Sequence, residues 1–237
     1  MSFWVPARAF SKHCPEMMDL PGQPEVLLKN DLHFLGAINR HLGGHAVLRN
    51  FFQIADLPQP LTILDCATGF GDGPRFLVDM FRSKQRKVSI TAVDLRKETL
   101  NVAREASLGY PEITFVEGDI LNPNSLPDGK FDVVMCNLVL HHFDLDDAVS
   151  IIRGITQKSK RYVFVNDLIR SRFYIGAAHV LACLTSNPMS KHDSVLSARR
   201  AFSREEFRGI LESAGWAGFH PGKSLFGRQF GWCEVAV

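Results

Sequence analysis

Residues Leu61 to Pro74 read LTILDCATGFGDGP, and this stretch decides the fold. Its apolar start runs to Asp65 and predicts a buried parallel strand, because strands covered on both faces are almost continuously hydrophobic. The three glycines at every second position predict a tight turn, and the proline predicts the first turn of a helix. A strand, a glycine turn and a helix in this order are typical of a nucleotide-binding site at the carboxyl edge of a sheet.

The composition is that of an ordinary globular protein. The 237 residues are 46% hydrophobic and 22% charged, which is enough material for one α/β domain with an appended piece. The formal net charge is +2, from 27 basic and 25 acidic residues, so no broad nucleic-acid-binding surface is indicated and no nucleic-acid partner is expected.

The cysteines and the apolar stretches bear on metal binding and on location. The five cysteines are scattered and show no CxxC or Cys/His spacing, so we expect no zinc site and a reduced, intracellular protein. Residues 1–20 do not look like a signal peptide, and the longest apolar stretch, near 173–184, is too short to span a bilayer. We therefore expect a cytoplasmic protein without a membrane span.

The order of patterns along the chain predicts a helical cap followed by alternating strands and helices. Helical spacing between 25 and 52 is interrupted at Gly43-Gly44, and a second short helix is predicted at 46–55. Residues 1–57 are accordingly assigned to an N-terminal helical cap or lid and residues 58–237 to the main domain. In that domain we predict strands at 61–66, 87–93, 113–117, 131–136 and 161–166, and helices at 74–83, 98–108 and 145–157. Repeated βα units of this kind imply a doubly wound, mainly parallel sheet with helices on both faces.

The last third of the chain departs from this alternation. Residues 168–201 combine an apolar helix near 173–184 with a polar segment, and we expect them to be an insertion that covers the substrate. Ser203 with Glu206 three residues later is a capping box and predicts a helix to residue 213. Strands are predicted near 216–221 and 230–237.

The residues LDCATGFGDG resemble the first motif of the class I S-adenosylmethionine-dependent methyltransferases, an acidic residue followed by Gly-x-Gly-x-Gly. Gly69 and Gly71 match the last two glycines, whereas Ala67 stands where the first is common, and alanine is tolerated there if its φ is negative. The resemblance covers about 62–237 and implies a Rossmann-like sheet of seven strands with an antiparallel last strand. It also implies that Asp65 lies near the methionine ammonium and that the glycine turn faces the cofactor's amino-acid and ribose parts.

Later motifs extend the resemblance to the rest of the cofactor. Asp94 ends the second predicted strand, where a carboxylate can accept both ribose hydroxyls, and Leu95 would pack on the adenine. In the GDI sequence, Asp119 would accept from the adenine amino group, with Ile120 on the ring face. The alternatives are that Asp94 caps the helix near Glu98 and that Asp119 is only a turn carboxylate.

Residues 132–143, DVVMCNLVLHHF, resemble the family's fourth motif. The backbone of Asn137 and Leu138 would flank the methionine part of the cofactor, whereas Asp132 is interpreted as structural. The DNA adenine- and cytosine-amino methyltransferases carry an Asn/Asp-Pro-Pro-aromatic tetrad here, and its absence argues against that chemistry.

His141 and His142 are the candidate catalytic residues. A neutral imidazole is a competent base near pH 7, as methyl transfer to a phenolic or hydroxyl oxygen requires. The alternative is that one of them caps the helix at Leu145 or packs beneath it. Asn166, Asp167 and Arg199 are candidate substrate-binding residues, although the arginines that flank the insertion are also compatible with a solvated rim.

The resemblance implies a methyltransferase that moves a methyl group from S-adenosylmethionine to an oxygen or carbon of a small aromatic or apolar metabolite, of secondary or quinone-type metabolism. S-adenosylhomocysteine would be the product, and the protein is expected to be a monomer or homodimer. One alternative is an NAD-dependent oxidoreductase, whose G-x-G-x-x-G/A fingerprint would need glycine or alanine where Pro74 stands. The other is a catalytically silent S-adenosylmethionine-binding partner subunit. An RNA methyltransferase is not supported by any appended basic domain.

Overall fold

The computed structural model describes residues 4–224 and 226–235. Its strands are β1 (Leu61–Cys66), β2 (Val88–Asp94), β3 (Ile113–Glu117), β4 (Phe131–Asn137), β5 (Ser159–Leu168), β6 (His220–Ser224) and β7 (Arg228–Glu234). Its α-helices are α1 (Glu25–His41), α2 (Gly44–Ile54), α3 (Asp72–Ser83), α4 (Lys97–Ala106), α5 (Leu145–Gln157), α6 (Arg172–Ala182), α7 (Pro188–Arg200) and α8 (Arg204–Ser213). Short 3₁₀ helices lie at Met17–Asp19, Pro123–Ser125 and Leu140–His142.

The seven strands form one sheet in the order β3-β2-β1-β4-β5-β7-β6. Strands β1 to β5 pair in parallel, and β7 runs antiparallel to both β5 and β6. The predicted fold class, a doubly wound and mainly parallel sheet with an antiparallel last strand, is therefore confirmed. The strand order reverses between β1 and β4, and such a switch point is where α/β sheets bind ligands, beyond the carboxyl ends of their strands.

Both faces of the sheet are covered by helices. On β1, Leu61 and Ile63 pack in one core cluster with residues of α2 and α3, whereas Leu64 and Cys66 pack in another with residues of α5 and α8. Successive side chains of a strand point to opposite faces, so a strand buried on both sides is apolar throughout. This is why β1 carries apolar residues on both of its faces, Leu61 and Ile63 on one and Leu64 and Cys66 on the other.

Helix α2 packs directly on the sheet. Phe51, which is 2% exposed, stacks on Phe164 of β5 with ring centroids 4.8 Å apart. The N-terminal helices are thus anchored to the core by large aromatic side chains, a class of contact that buries much apolar area per residue.

Two of the predicted helices have the expected ends because their caps are local. Helix α5 is confirmed over its predicted range, and the side chain of Asp144 accepts from Asp147 N at 2.9 Å. The capping box of α8 is also confirmed, with Ser203 N donating to Glu206 and Glu206 N donating to Ser203.

Near the end of the chain the structure adds to or differs from the expectations in three places. The polar segment after Asn187 is helix α7, whose first turn is capped by the Asn187 side chain accepting from Met189 N at 2.9 Å. Trp216 does not begin a strand, because its ring is 3% exposed and its Nε1 donates to Thr156 Oγ1 at 3.0 Å, and β6 begins only at His220. The last strand starts at Arg228 rather than at residue 230, and positions 236 and 237 lie outside the described residues.

The cysteines divide into two groups. Cys66 and Cys136 are buried and face each other in register on β1 and β4, and Cys233 on β7 is also buried. Cys14 and Cys183 are exposed.

None of the helices in the described part of the chain combines the length and the apolar character needed to cross a membrane.

Candidate active site

A cavity of about 520 Å³ lies at the carboxyl ends of the parallel strands. The strand ends contribute Asp65, Asp94 and Asn137, and α1, α6 and α7 close it from above with side chains such as Leu32, Ala178 and Ser197. This volume is within the range of small-molecule and cofactor sites. The switch point of the sheet and the enclosed cavity therefore coincide.

The glycine turn after β1 is left-handed at three positions. Gly69 and Gly71 have φ values of +54° and +71°, and Ala67 has a φ of +58°. The condition under which alanine would be tolerated at position 67, a negative φ, is therefore not met. Leu138, which also lines the cavity, has a φ of +55°. A left-handed residue other than glycine costs about 1–3 kcal/mol and persists only where the surroundings enforce it, commonly at ligand sites.

Asp65 is an almost fully buried acid at the end of β1. Its side chain is 3% exposed and accepts from Thr68 Oγ1 at 2.7 Å. Burial, only partly offset by this hydrogen bond, raises the pKa of Asp65 to about 7. A buried carboxylate with one strong donor attracts a cationic group that would complete its solvation.

Asp94 connects the end of β2 to the glycine turn. Its carboxylate accepts from Gly69 N at 2.8 Å and from Arg96 N at 3.0 Å. The alternative that Asp94 caps the next helix was wrong, because Arg96 is the N-cap of α4 and no side chain caps that end. Burial raises the pKa of Asp94, and the two backbone donors lower it. Leu95, beside it, is 59% exposed and lines the cavity.

Residues 118–120 also reach the cavity. Asp119 Oδ1 accepts from Leu121 N at 2.9 Å, so the side chain does stabilise its own turn, as the alternative interpretation had it. Asp119 nevertheless lines the cavity together with Ile120, which is 6% exposed. The turn contact and a ligand contact are compatible, since a carboxylate offers two oxygens.

His141 is hydrogen-bonded to the buried carboxylate of Asp167. Its Nδ1 donates to Asp167 Oδ1 at 2.6 Å, and its backbone N donates to Asp167 Oδ2 at 2.9 Å. Because a carboxylate only accepts, the pair places the proton on Nδ1 and leaves Nε2 as the free ring nitrogen. His141 lines the cavity, whereas the fully buried Asp167 does not. Asp167 is thus placed to orient the imidazole.

His142 is held in the same way by the N-terminal segment. Its Nδ1 lies 2.8 Å from Asp19 Oδ2, and its Nε2 lies 3.8 Å from Glu16 Oε2. Burial acts to lower the pKa of His142, but Glu16 and Asp19 together raise it to about 9. The alternative that a histidine caps α5 was wrong, since Asp144 occupies that position.

Glu16 and Asp19 were missed by the sequence analysis. They lie in a segment without periodicity, which is fixed when Met17 N and Met18 N donate to the Asp193 carboxylate at 2.8 and 3.0 Å. The contact depends on α7, so no local sequence signal could have revealed it.

Of the predicted substrate-binding residues, Asn166 lines the cavity and Arg199 and Asp167 do not. Asn166 lines the cavity and its Nδ2 donates to Asn137 Oδ1 at 3.3 Å. Arg199 is exposed and lies outside the cavity lining, whereas the adjacent Arg200 is 3% exposed and lies 4.0 Å from Glu16. Of the cofactor candidates, Gly71 is the one outside the lining; a Cβ there would lie 3.1 Å from the Phe115 ring.

Comparison with known proteins shows what the chain is similar to. Residues 63–161 match the family model described as "Methyltransferase domain". No curated protein matches the chain in sequence. The match to the family model covers less than half of the chain, and the fold is the one found in solved structures of S-adenosylmethionine-dependent methyltransferases.

Solved structures with this fold are distant in sequence. Human N-acetylserotonin methyltransferase in complex with SAM has a TM-score of 0.65 and 18% identity, over 91% of this chain and 57% of that one. The Synechocystis PCC 6803 magnesium protoporphyrin IX methyltransferase with bound SAH has a TM-score of 0.56 and 17% identity, over 92% of this chain and 91% of that one. A SAM-dependent methyltransferase from Aquifex aeolicus has a TM-score of 0.60 and 18% identity, over 88% of this chain and 98% of that one. The chain thus spans little more than half of the human protein and nearly all of the other two.

Proposed function

We propose that the protein binds S-adenosylmethionine in this cavity and transfers its methyl group to an oxygen or carbon of a small, apolar or aromatic acceptor, releasing S-adenosylhomocysteine. The observation that carries the proposal is the row of acids at successive strand ends, Asp65, Asp94 and Asp119, which all line one cavity. Their order matches the ammonium, ribose and adenine of this cofactor.

Different residues of the cavity would contact different parts of the cofactor. Asp65 would pair with the methionine ammonium, and the backbone at Asn137 and Leu138 would flank the methionine. Asp94 would accept hydrogen bonds from the ribose hydroxyls while still accepting one from Gly69 N. Leu95 and Ile120 would cover the adenine, with Asp119 accepting from its amino group. The structures of similar fold that contain SAM or SAH support this arrangement.

The acceptor would lie between the histidines and the helices above them. The sulfonium is already activated, so alignment of the acceptor with the S–CH₃ bond and exclusion of water supply most of the acceleration. His141, oriented by Asp167, presents Nε2 as a base for a hydroxyl acceptor, with His142 beside it and Asn166 positioning the acceptor. The apolar lining from α1 and α6 favours a small apolar molecule.

Calorimetric titration with S-adenosylmethionine and S-adenosylhomocysteine tests the cofactor. We expect micromolar binding by the wild type and loss of at least tenfold in Asp94→Ala. Asp56→Ala removes an exposed carboxylate that pairs with Arg161 and is the matched control, which should bind like the wild type. No binding by folded wild type overturns the assignment, and NADH binding in its place would favour the oxidoreductase. Turnover of a phenolic acceptor panel then separates an enzyme from a silent partner subunit.

A further inference from the structure

Glu16, His141 and His142 form a cluster that the methyl-transfer scheme uses only in part. One carboxylate oxygen and two ring nitrogens of these residues all lie within 4.8 Å of one another. Glu16 Oε1 is 3.8 Å from His141 Nε2, and Glu16 Oε2 is 3.8 Å from His142 Nε2. The two imidazoles, whose ring centroids are 4.4 Å apart, therefore face the same carboxylate.

The second nitrogen of each imidazole is already committed to a carboxylate. His141 Nδ1 is paired with Asp167 at 2.6 Å and His142 Nδ1 with Asp19 at 2.8 Å. Metal-binding histidines characteristically donate the other ring N–H to a carboxylate, which fixes the tautomer and directs the lone pair at the ion. Both histidines show this arrangement, and in both the free nitrogen is the one that faces Glu16.

The charges around the cluster favour a cation. Three carboxylates, Glu16, Asp19 and Asp167, lie within 4 Å of the two imidazoles, and Glu16 and Asp167 are at most 2% exposed. One guanidinium, that of Arg200, lies 4.0 Å from Glu16. A divalent cation placed between Glu16 and the two imidazoles would be attracted by these three carboxylates and repelled by Arg200.

We propose that Glu16, His141 and His142 bind one divalent first-row transition-metal ion, with its remaining coordination positions facing the cavity. Two histidines and one carboxylate suit Fe²⁺, Zn²⁺ and similar ions. Ligand bonds of about 2.1 Å place the donor atoms of a tetrahedral site about 3.4 Å apart. The candidate donor atoms lie within 4.8 Å of one another, so binding requires the three side chains to move closer together.

No metal site was expected from the sequence, because the cysteines are scattered and no CxxC or Cys/His spacing occurs. Here two ligands are adjacent and the third comes from the N-terminal segment, which α7 holds over the sheet edge through Asp193. The ion's role rests on the proposed function: an acceptor hydroxyl that coordinates it loses its proton more easily, and the proton leaves to solvent. The histidine nitrogens would then be ligands, and the ion would take over the activation that a base would otherwise provide.

Metal binding is tested on tag-free, chelator-treated protein without cofactor or acceptor. Co²⁺ is the probe, because its visible absorption reports nitrogen and oxygen ligands, and calorimetry gives the stoichiometry. We expect one ion per chain in the wild type and at least tenfold weaker binding in Glu16→Gln and His142→Ala. Asp19→Asn, which alters only the partner of His142, should weaken binding tenfold to a hundredfold. His41→Ala changes an exposed histidine and should bind Co²⁺ like the wild type.

Two results overturn the proposal: absence of stoichiometric Co²⁺ binding by folded wild type, or binding that Glu16→Gln retains. Should a variant fail to fold, as judged by circular dichroism, the wild-type stoichiometry and spectrum decide. Titration with S-adenosylhomocysteine on the same samples separates the two proposals. Protein that binds the nucleoside but not Co²⁺ contradicts the metal site alone, and the reverse result contradicts the cofactor assignment alone.

Discussion

The buried carboxyl group of Asp65, which lines the cavity, lowers the stability of the folded protein at neutral pH. Its pKa is raised from 3.8 to about 7 by burial, so the folded protein binds a proton over a pH range in which the unfolded chain does not. The free energy of unfolding therefore declines as the pH rises from about 4 to 7, because the buried Asp65 side chain must become charged in the folded protein.

We therefore predict that Asp65→Asn stabilises the cofactor-free protein and abolishes cofactor binding. The amide oxygen can still accept from Thr68, but the side chain no longer ionises. The variant's advantage in melting temperature over the wild type should be larger at pH 8 than at pH 5, as thermal denaturation would show. Affinity of the wild type for S-adenosylmethionine should fall below pH 7. An advantage that does not change with pH would contradict this account.

Gly71 belongs to the glycine turn after β1 but lies outside the cavity lining. Its φ is +71° and an added Cβ would lie 3.1 Å from the Phe115 ring, so both backbone strain and a tight contact oppose a side chain. Gly71→Ala should lower the free energy of unfolding by about 1–3 kcal/mol, measured by urea denaturation. Gly109→Ala is the control, since its Cβ would meet nothing within 4 Å and it should change stability far less. Equal effects of the two substitutions would show that the turn is not strained.

Several residues that line the cavity could be placed at the sheet edge from the sequence, because each lies at or just beyond the end of a strand in its own local motif. Asp65, Asp94, Asp119 and the histidine pair were all located in this way. Glu16 could not be predicted, since it reaches the site only through the packing of a distant helix. The positive φ of Ala67 was also not predicted, because an alanine at a position where glycine is common does not by itself indicate which φ the backbone has there.

Helix α7 is the element that links the N-terminal segment to the site. Its Asp193 is 4% exposed and accepts two backbone N–H groups from Met17 and Met18. Hydrogen bonds to a charged acceptor each contribute about 1.5–3 kcal/mol, so Asp193→Ala should release this segment without unfolding the sheet.

We predict that amide hydrogen exchange of residues 16–19 rises at least tenfold in Asp193→Ala. Affinity for the proposed cofactor should fall with it, because Asp19 and Met18 line the cavity. Lys191→Ala, an exposed change on the same helix, should leave both quantities unchanged. Protection that stays as in the wild type would mean that other contacts hold the segment.

Elements with strong local caps and one apolar face were predicted well, as α5 and α8 show. Helix α7 was missed although Asn187 and Pro188 form a helix start, because its buried face is polar: Ser190, Asp193 and Arg200 are all inside. A helix that buries polar groups has no hydrophobic period to detect. The strand predicted to begin at Trp216 was a false positive, because a large aromatic residue is typical of strands but here is buried in a turn.

At the scale of the whole molecule, the alternation of strands and helices determined the sheet, and the cavity follows from its topology. A ligand that binds only the folded state stabilises it by about 2.7 kcal/mol at one hundred times its dissociation constant. For a chain of this length we predict that S-adenosylhomocysteine at that concentration raises the melting temperature by roughly 5–10 °C. Asp94→Ala should show no such rise at the same concentration, in a thermal shift measurement.

The distribution of cysteines makes the protein suited to site-specific labelling without substitution. Burial raises the pKa of the Cys233 thiol to about 12 and that of the Cys66 and Cys136 thiols well above the ordinary value, so these three should not react. A thiol reagent should therefore modify two groups in the native protein and five after denaturation. The reactive pair lies on two elements that cover the cavity, Cys14 just before Glu16 and Cys183 at the end of α6. Fluorophores on these two sites would report, by energy transfer, any change in the distance between these two parts of the chain when a ligand binds.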